Sequence, residues 1–434
     1  MRLIMDLSQP KERSVNDFIF KEDFPTEYVH FDVATHLVRQ LGRGCLLSKI
    51  DIKHAFRLLP VRPEDWPLLV YCWEGLFFVD LKLPFGGRSS PSIFTDFADL
   101  LCWVLTTEYK LLAIHYADDY LLFSIASITH AEEDLKLFKF VFEYLNIPIA
   151  WDKLLGPATA IIYLGIQIDT DRFLVSIPEE KMAEMLLLLP KWCNRRTCKK
   201  KKLLSLIGKL NFCATVVKSG RFFVRRLIDL STTVKETHHH ITLNQEAKDD
   251  IHWWCEFLPK WNRCSFIPDS LKIESTDLLL FTDASSTIGL GAIYENAWIQ
   301  AAWPPSLAAE DIDFKELFAI LAAAMTWGAA WTGRRIVFIT DNKPITQIWE
   351  KGNTPARNIM HLVRKLFLFA AEHDFSVSLK HILGHYNCVA DALSRFQGQK
   401  FRRLAPQADR DPTPIPADVW LLGNHLERHS VPSN

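Results

Sequence analysis

The 9 cysteines form no C-x-x-C pair, and Cys193 and Cys198 have no matching pair downstream, so no zinc site is expected. Buried or free thiols in a reducing compartment are expected instead. There is no Asp-Thr/Ser-Gly protease motif and no Cys/His zinc knuckle. The apolar run Met185 to Pro190, between Glu184 and Lys191, falls far short of the ~20 residues a bilayer requires. Residues 1–15 alternate charge with apolar side chains and contain no h-region, so no secretory signal is read there. The chain is therefore expected inside the cell, in cytoplasm or nucleus, without a membrane partner. Neither sign of charge dominates: the formal net charge is −1, which supplies no global field for a polyanion. No repeat period appears, and no low-complexity segment beyond Lys199 to Lys202. What remains is a chain of 434 residues, long enough for two or three cores, with 49% hydrophobic residues, a share that excludes wholesale disorder.

Residues 46–51, 68–72 and 76–81 read as strands, apolar and bounded by Gly, Pro and charge. Helical spacing from Ser92 to Thr106 puts Ile93, Phe97, Leu100, Leu101 and Val104 on one face. Two apolar runs, Leu111 to His115 and Tyr120 to Phe123, flank a short acidic turn and predict a hairpin. A helix from His130 to Leu145 and a strand around Ile161 to Ile168 follow. Residues 178–270 read as mainly helical. From Lys191 to Arg226 there are twelve Lys or Arg and no acid, interleaved with Trp192, Phe212, Phe222 and Phe223. Such a segment suits a phosphate backbone, although the Lys run alone reads as a solvated face. Near Asp277 the pattern restarts. Strands 278–283, 289–294 and 297–301, helix 314–331, strand 335–340, helix 354–373, strand 375–382 and a helix from Val389 predict a mixed α/β domain. The tail after Arg395, rich in Pro, Arg and Asp, is expected to be poorly ordered.

Asp118 and Asp119 stand side by side at the predicted hairpin tip. A turn selected for stability would favour Asn-Gly, because adjacent carboxylates repel. A divalent cation resolves the conflict, since it favours clustered carboxylate oxygens. Asp51, ending the strand from Leu46, can bring a further carboxylate within reach of Asp118. Two cations about 4 Å apart suit in-line phosphoryl transfer to a primer hydroxyl. A lone acidic turn is more often a solvated loop.

Five motifs in order raise the reading above that alternative. Ser48-Lys49-Ile50-Asp51-Ile52-Lys53-His54-Ala55-Phe56 resembles the first palm motif of retroelement reverse transcriptases. Leu83-Pro84-Phe85-Gly86 with Ser90-Pro91-Ser92-Ile93-Phe94 resembles their template and nucleotide-binding motif, and Tyr116-Ala117-Asp118-Asp119 their metal-binding turn. Lys153 falls where that family places a lysine near the triphosphate, and Tyr163-Leu164-Gly165 resembles the hairpin that holds the primer end. The resemblance implies that Asp51 and Asp118 are the main metal ligands, supported by Asp119. It implies that Phe56 excludes a ribose 2′-hydroxyl, and that Phe85, Gly86 and Arg2, in Arg2-Leu3-Ile4-Met5-Asp6, contact the nucleotide. In relatives a longer stretch of fingers precedes that arginine, so the fingers read as truncated.

Asp283, Glu316, Asp341 and Asp391 form a second constellation. Each has a plain alternative. Asp313 and Glu316 have capping-box spacing, Asp341 suits a strand-end turn with Asn342, and Asp391 suits a helix first turn. Together, Phe281-Thr282-Asp283-Ala284-Ser285, Lys315-Glu316-Leu317, Ile339-Thr340-Asp341-Asn342 and Asn387 through Arg395 resemble the RNase H domain of long-terminal-repeat and related retroelements. That resemblance implies two-metal hydrolysis of the RNA strand of a hybrid, with His385 near the position of a mobile proton-transfer histidine; an ordinary surface histidine is the equal alternative.

The implied fold is an α+β polymerase palm (right-hand, fingers truncated) with a helical thumb and connection, followed by an α/β RNase H-like domain. The boundaries are residues 1–175 for fingers and palm, 176–274 for thumb and connection, 275–397 for the RNase H-like domain, and 398–434 for a disordered tail. The basic helical region, with Lys209, Arg221, Arg225 and Arg226, is expected to grip the primer–template duplex. The implied cofactors are Mg2+ or Mn2+, two per site. The implied partners are RNA template, DNA primer, RNA–DNA hybrid and deoxynucleoside triphosphates. In style the chain resembles DIRS-like or gypsy-like retroelements. A decayed or domesticated nucleic-acid-binding derivative and a hybrid nuclease alone are the competing readings.

Overall fold

The computed structural model describes residues 4–261, 263–267, 278–332, 334–351, 354, 356–373 and 375–424. The chain divides into two units, residues 1–178 with 265–267, and residues 179–264 with 268–434. No helix among the described residues is long and apolar enough to cross a membrane.

The first unit contains α1 (Phe31–Leu41), β1 (Leu46–Asp51), the ribbon β2 (Val70–Trp73) and β3 (Leu76–Val79), then α2 (Ser90–Trp103). The hairpin β4 (Leu112–Tyr116) and β5 (Asp119–Ser124) leads to α3 (Ile128–Tyr144), β6 (Leu155–Ala158), β7 (Ala160–Tyr163), β8 (Ile166–Asp169) and β9 (Leu174–Ser176). The central antiparallel sheet runs β4-β5-β1-β6. Phe94, Ala98 and Leu101 of α2 and Phe138, Val141 and Phe142 of α3 share one core with Ile50, Tyr120 and Leu122 of that sheet. Burying each such Phe contributes roughly 1.5–3 kcal/mol, enough to fix the strands that carry the carboxylates. Pro91, in the first turn of α2, loses no intrahelical hydrogen bond there. The apolar pattern around Ile161 to Ile168, read as one strand, is the hairpin β7–β8, with its turn at the Tyr163-Leu164-Gly165 motif. Leu164 (φ 50) and Gly165 (φ 79) supply the two left-handed residues its tight turn requires.

The second unit opens with α4 (Glu179–Leu188), α5 (Pro190–Cys193), β10 (Thr197–Lys199), α6 (Lys200–Val216), α7 (Arg225–Thr232), β11 (His240–Thr242) and α8 (Gln245–Lys260). Strand β12 (Cys264–Phe266) extends the β9-β8-β7 sheet of the first unit. Trp192, Phe222 and Phe223 are buried, so these rings of the basic segment are spent on core packing. Cys193 of α5 and Cys255 of α8 face each other with Cα atoms 7.6 Å apart, wider than a relaxed disulfide spans.

There follow β13 (Leu278–Ala284), β14 (Gly289–Tyr294), β15 (Ala297–Ala302), α9 (Ile312–Trp327), β16 (Arg335–Thr340), α10 (Lys343–Lys351), α11 (Arg357–Glu372), β17 (Ser376–His381), α12 (Cys388–Ser394), α13 (Gly398–Leu404) and α14 (Ala417–Asn424). The five-stranded sheet runs β15-β14-β13-β16-β17, antiparallel through its first three strands and parallel from β13 to β17. Helix α9 is buried continuously from Phe314 to Ala324, as a helix apolar on all sides must be. Helix α10 escaped the sequence reading; the Asn342 side chain caps it, accepting from the Ile345 N–H at 2.9 Å. The tail after Arg395 is a further correction. Phe401, Ala405 and Ala408 enter a core with Trp298 and Leu393, and the Thr413 N–H donates to the Trp298 carbonyl at 2.7 Å, covering the edge strand β15.

Candidate active sites

Strands β4 and β5 are joined by Ala117 and Asp118 alone, between the paired Tyr116 and Asp119. Ala117 takes φ 52, a left-handed conformation that costs a residue with a Cβ. The antiparallel register of β1 on β5 sets Asp51 directly opposite Asp119. Asp51 and Asp118 then line one cavity of about 400 Å³, together with His54, Phe85 and Lys153. His54 (φ 70) and Ala55 (φ 38) are also left-handed, so backbone strain gathers around these carboxylates. Lys153 Nζ donates to both oxygens of Asp51 at 3.1 and 3.0 Å, and Lys49 Nζ stands 3.3 Å from Asp119. Burial pushes the Asp119 carboxyl above its usual range, Lys49 pulls it back, and Asp51 pushes it up again. The hydrogen bond to Asp51 holds Lys153 in its charged form.

In the second unit, Asp283, Glu316 and Asp341 offer carboxylate oxygens that all lie within 4.8 Å of one another. The parallel register that sets Phe281 beside Ile339 places Asp283 near the end of β13 and Asp341 just after β16, and α9 presents Glu316. The capping alternative for Glu316 does not hold: the N-cap position is Asp311, not Asp313, and Asp313 accepts from Asn342 at 2.9 Å. Burial pushes the Asp283 carboxyl up to about 6, although the Ser394 hydroxyl donates to it. Burial, then the neighbouring Asp283 and Asp341, drive Glu316 well above its usual range. Thr340 Oγ1 donates to Glu316 at 3.3 Å. Asp391 is not brought into this cluster, because Arg395 and Lys400 (3.1 Å) bind its two oxygens. Burial opposes its ionisation, and those two hydrogen bonds overcome the opposition. His385 is exposed in the turn Gly384–Tyr386; a Cβ added to Gly384 would lie 2.9 Å from Asp341, so this turn borders the triad.

Residues 2–168 match the protein family described as "Reverse transcriptase (RNA-dependent DNA polymerase)". Over those residues the chain is similar to that family. The Tf2-3 transposon polyprotein of Schizosaccharomyces pombe is 23% identical over 91% of this chain and 28% of its own length. The retrovirus-related Pol polyprotein from transposon gypsy of Drosophila melanogaster is 22% identical over 94% of this chain and 37% of its own length. The chain thus spans about a third or less of the curated relatives it matches. Of the two resemblances drawn from sequence, these relatives support the gypsy-like one. In fold the chain is similar to a foamy viral protease-reverse transcriptase whose structure was solved with double-stranded DNA (TM-score 0.50, 17% identity, 88% of this chain and 63% of that one).

Of the remaining predicted residues within 2–168, Arg2 lies outside the described residues. Phe56 is half-buried; it stacks on Phe85 and packs at a tilt against Phe94, each ring centroid 5.1 Å away. Gly86 (φ 109) is required by a close approach, since a Cβ there would lie 2.1 Å from the Met5 carbonyl. Asn16, which the sequence reading missed, donates to the Gly86 carbonyl at 2.9 Å and accepts from the Arg88 N–H at 2.7 Å. Nothing local in the sequence marks it, because its partners are seventy residues away. Tyr163 is buried with an unpartnered hydroxyl, and Leu164 and Gly165 form the β7–β8 turn.

Beyond residue 168, Lys209 pairs with Glu184, Arg225 with Asp229 at 3.1 Å, Arg226 with Asp250 at 3.8 Å, and Arg221 is exposed. Ser394 and Asn387 were missed as supports of the triad. Asn387 Nδ2 donates to the Thr282 carbonyl at 2.8 Å, tying α12 to the strand that carries Asp283. The signal available was their place in the same string as Asp391.

Proposed function

We propose that this chain is the RNA-directed DNA polymerase of a gypsy-like retrotransposon and that it also degrades the RNA strand of RNA–DNA hybrids. The observation that carries the proposal is the pair of separate carboxylate centres: Asp51, Asp118 and Asp119 in the reverse transcriptase domain, and Asp283, Glu316 and Asp341 on a five-stranded mixed sheet. The donor sets are all oxygen and partly buried, which suits hard divalent cations such as Mg2+ or Mn2+. Asp51 and Asp118, supported by Asp119, would hold two at the first site; Asp283, Glu316 and Asp341, joined by Asp391, would hold two at the second. When bound, such ions supply charge stabilisation for in-line phosphoryl transfer.

The chain's own groups supply positioning. Lys153 stands at the mouth of the Asp51 cavity, where a triphosphate exchanges the Asp51 contact for its own oxygens. Phe56, held against Phe85 and Phe94, presents a fixed ring to the sugar and disfavours a 2′-hydroxyl. Ser394 orients Asp283, and His385 is placed to carry a proton at the hybrid site. The proposed partners are an RNA template, a DNA primer, their hybrid and deoxynucleoside triphosphates.

Primer extension on an RNA template, run beside hybrid cleavage with the same protein, tests the proposal. Both activities are expected, and each should vanish with chelator. Cleavage without extension by folded protein would leave a hybrid nuclease only. Binding without either activity would leave a nucleic-acid-binding derivative.

A further inference from the structure

A cavity of about 310 Å³ lies within the second unit, lined by none of the residues of either carboxylate centre, and four of its lining residues are arginines. Arg225 and Arg226 come from the start of α7. Arg357 and Arg364, seven residues apart, lie on one face of α11. Two carboxylates, Asp229 and Glu246, also line it, and the buried Asp250 of α8 pairs with Arg364 at 3.1 Å and with Arg226 at 3.8 Å. Four guanidiniums against three carboxylates leave a net positive charge in a concave site.

An ion-pair network joining α7 and α8 to α11 is the plain alternative, and it accounts for half of the cluster. Asp250 needs Arg226 and Arg364, because a buried carboxylate demands partners. It does not need Arg225 or Arg357. Arg225 pairs with Asp229 at 3.1 Å and Arg357 with Glu246 at 3.3 Å; both arginines and Asp229 are well exposed, and Glu246 is partly exposed. Pairs of that kind hold their partners weakly and exchange readily. Arg364 also leaves its buried Nε–H without an acceptor, an unmet donor in the same cluster.

We infer that this cavity receives one backbone phosphate of the bound nucleic-acid duplex, with Arg225 and Arg357 exchanging their carboxylates for it and Arg226 and Arg364 forming a fixed base. The inference rests on the proposed nucleic-acid function and adds α11 to the surface that the duplex contacts. A phosphate dianion or diester offers several oxygens to planar guanidiniums, a match that a lysine patch does not provide.

The test uses the full chain, a fluorescent DNA duplex and a KCl titration, comparing wild type with Arg225→Gln, Arg357→Gln and the double variant. Each single variant should weaken binding about threefold to tenfold at low salt and reduce the slope of log K against log[salt] by about 1. Thermal melting of the double variant, with Arg226 and Arg364 retained, confirms that the fold is kept. Wild-type binding with unchanged slopes in all three variants overturns the site and leaves the proposed function standing. No duplex binding by the wild type overturns both. Stabilisation of the wild type by inorganic phosphate at constant ionic strength, with unchanged duplex slopes, assigns the cavity to a free phosphate and overturns the backbone assignment.

Discussion

The hairpin centre and the three-carboxylate centre assemble acidic groups by opposite means. At the hairpin, Lys153 and Lys49 stand against Asp51 and Asp119, so two of the three carboxylates there are countered by the chain's own charge. At Asp283, Glu316 and Asp341, among the described residues, no lysine or arginine lies at ion-pair distance, and burial forces protons onto the cluster instead. A site balanced by its own lysines keeps its shape without a cation. A site of unbalanced buried carboxylates accumulates repulsion that only protons or cations relieve. The two centres should therefore respond differently to mutation, to pH and to metal.

Separability is the largest effect. Asp118→Asn should lower primer extension by roughly a thousandfold or more and leave hybrid cleavage intact, since several kcal/mol of charge stabilisation is lost at one centre only. Asp283→Asn should do the reverse. Steady-state rates of both activities on each folded variant check this, and loss of both in either variant would refute two independent centres.

The next effect concerns proton binding. Native Asp283 keeps its proton up to about pH 6, whereas the unfolded chain releases it near 4. Between those values the native state binds more protons, so this contribution is fully present at the acid end and is lost as pH rises through about 6. In chelator, Asp283→Asn should match wild type near pH 4 and exceed it above pH 7 by on the order of 2 kcal/mol. Saturating divalent cation should erase the advantage. Urea unfolding across that range decides it, and a stability difference that is flat with pH would show that the triad carries no such burden. The hairpin centre should give no comparable gain.

How much of this was legible beforehand follows the range over which each residue finds its partners. The acidic turn, the strand ending in Asp51 and the strands around Asp283 and Asp341 are local patterns, and the structure places them within a residue or two of expectation. The hairpin β7–β8 was marked by the resemblance at Tyr163-Leu164-Gly165 but not by the strand pattern, because Leu164, an apolar residue, occupies a left-handed turn position usually marked by Asn or Gly. The tail after Arg395 looked disordered by composition, yet Phe401 and Ala405 are buried against Trp298, a contact across a hundred residues. The lysines that balance the hairpin were visible as residues but not as partners. Conversely, Trp192, Phe222 and Phe223 looked like a nucleic-acid platform and are core, because aromatic spacing alone does not tell an outward face from an inward one.

Lys153 probes the balance at the hairpin. Its two hydrogen bonds to Asp51 are charge-assisted, each of a kind that contributes roughly 1.5–3 kcal/mol. It is half-exposed, so the measurable effect should fall at or below that range. Lys153→Met should raise the KM for deoxynucleotides about tenfold and leave hybrid cleavage unchanged. An unchanged KM would mean that Lys153 serves Asp51 alone.

The smallest effect sharpens the comparison most, because it asks whether the second centre also has a balancing lysine. Asp391 is the carboxylate that stays outside the cluster, held by Arg395 just past the end of its own helix and by Lys400 in α13. Both pairs are partly exposed, and each contributes about 0–1 kcal/mol. If Asp391 must leave them to join Asp283, Glu316 and Asp341 around a cation, removing Lys400 lowers that cost. Lys400→Ala should then reduce the Mg2+ concentration for half-maximal hybrid cleavage about twofold to threefold, with extension unaffected. The direction is what discriminates. A higher metal requirement would place Lys400 among the groups that hold the substrate phosphates, and the second centre would then prove to be balanced from its tail much as the first is balanced from its strands.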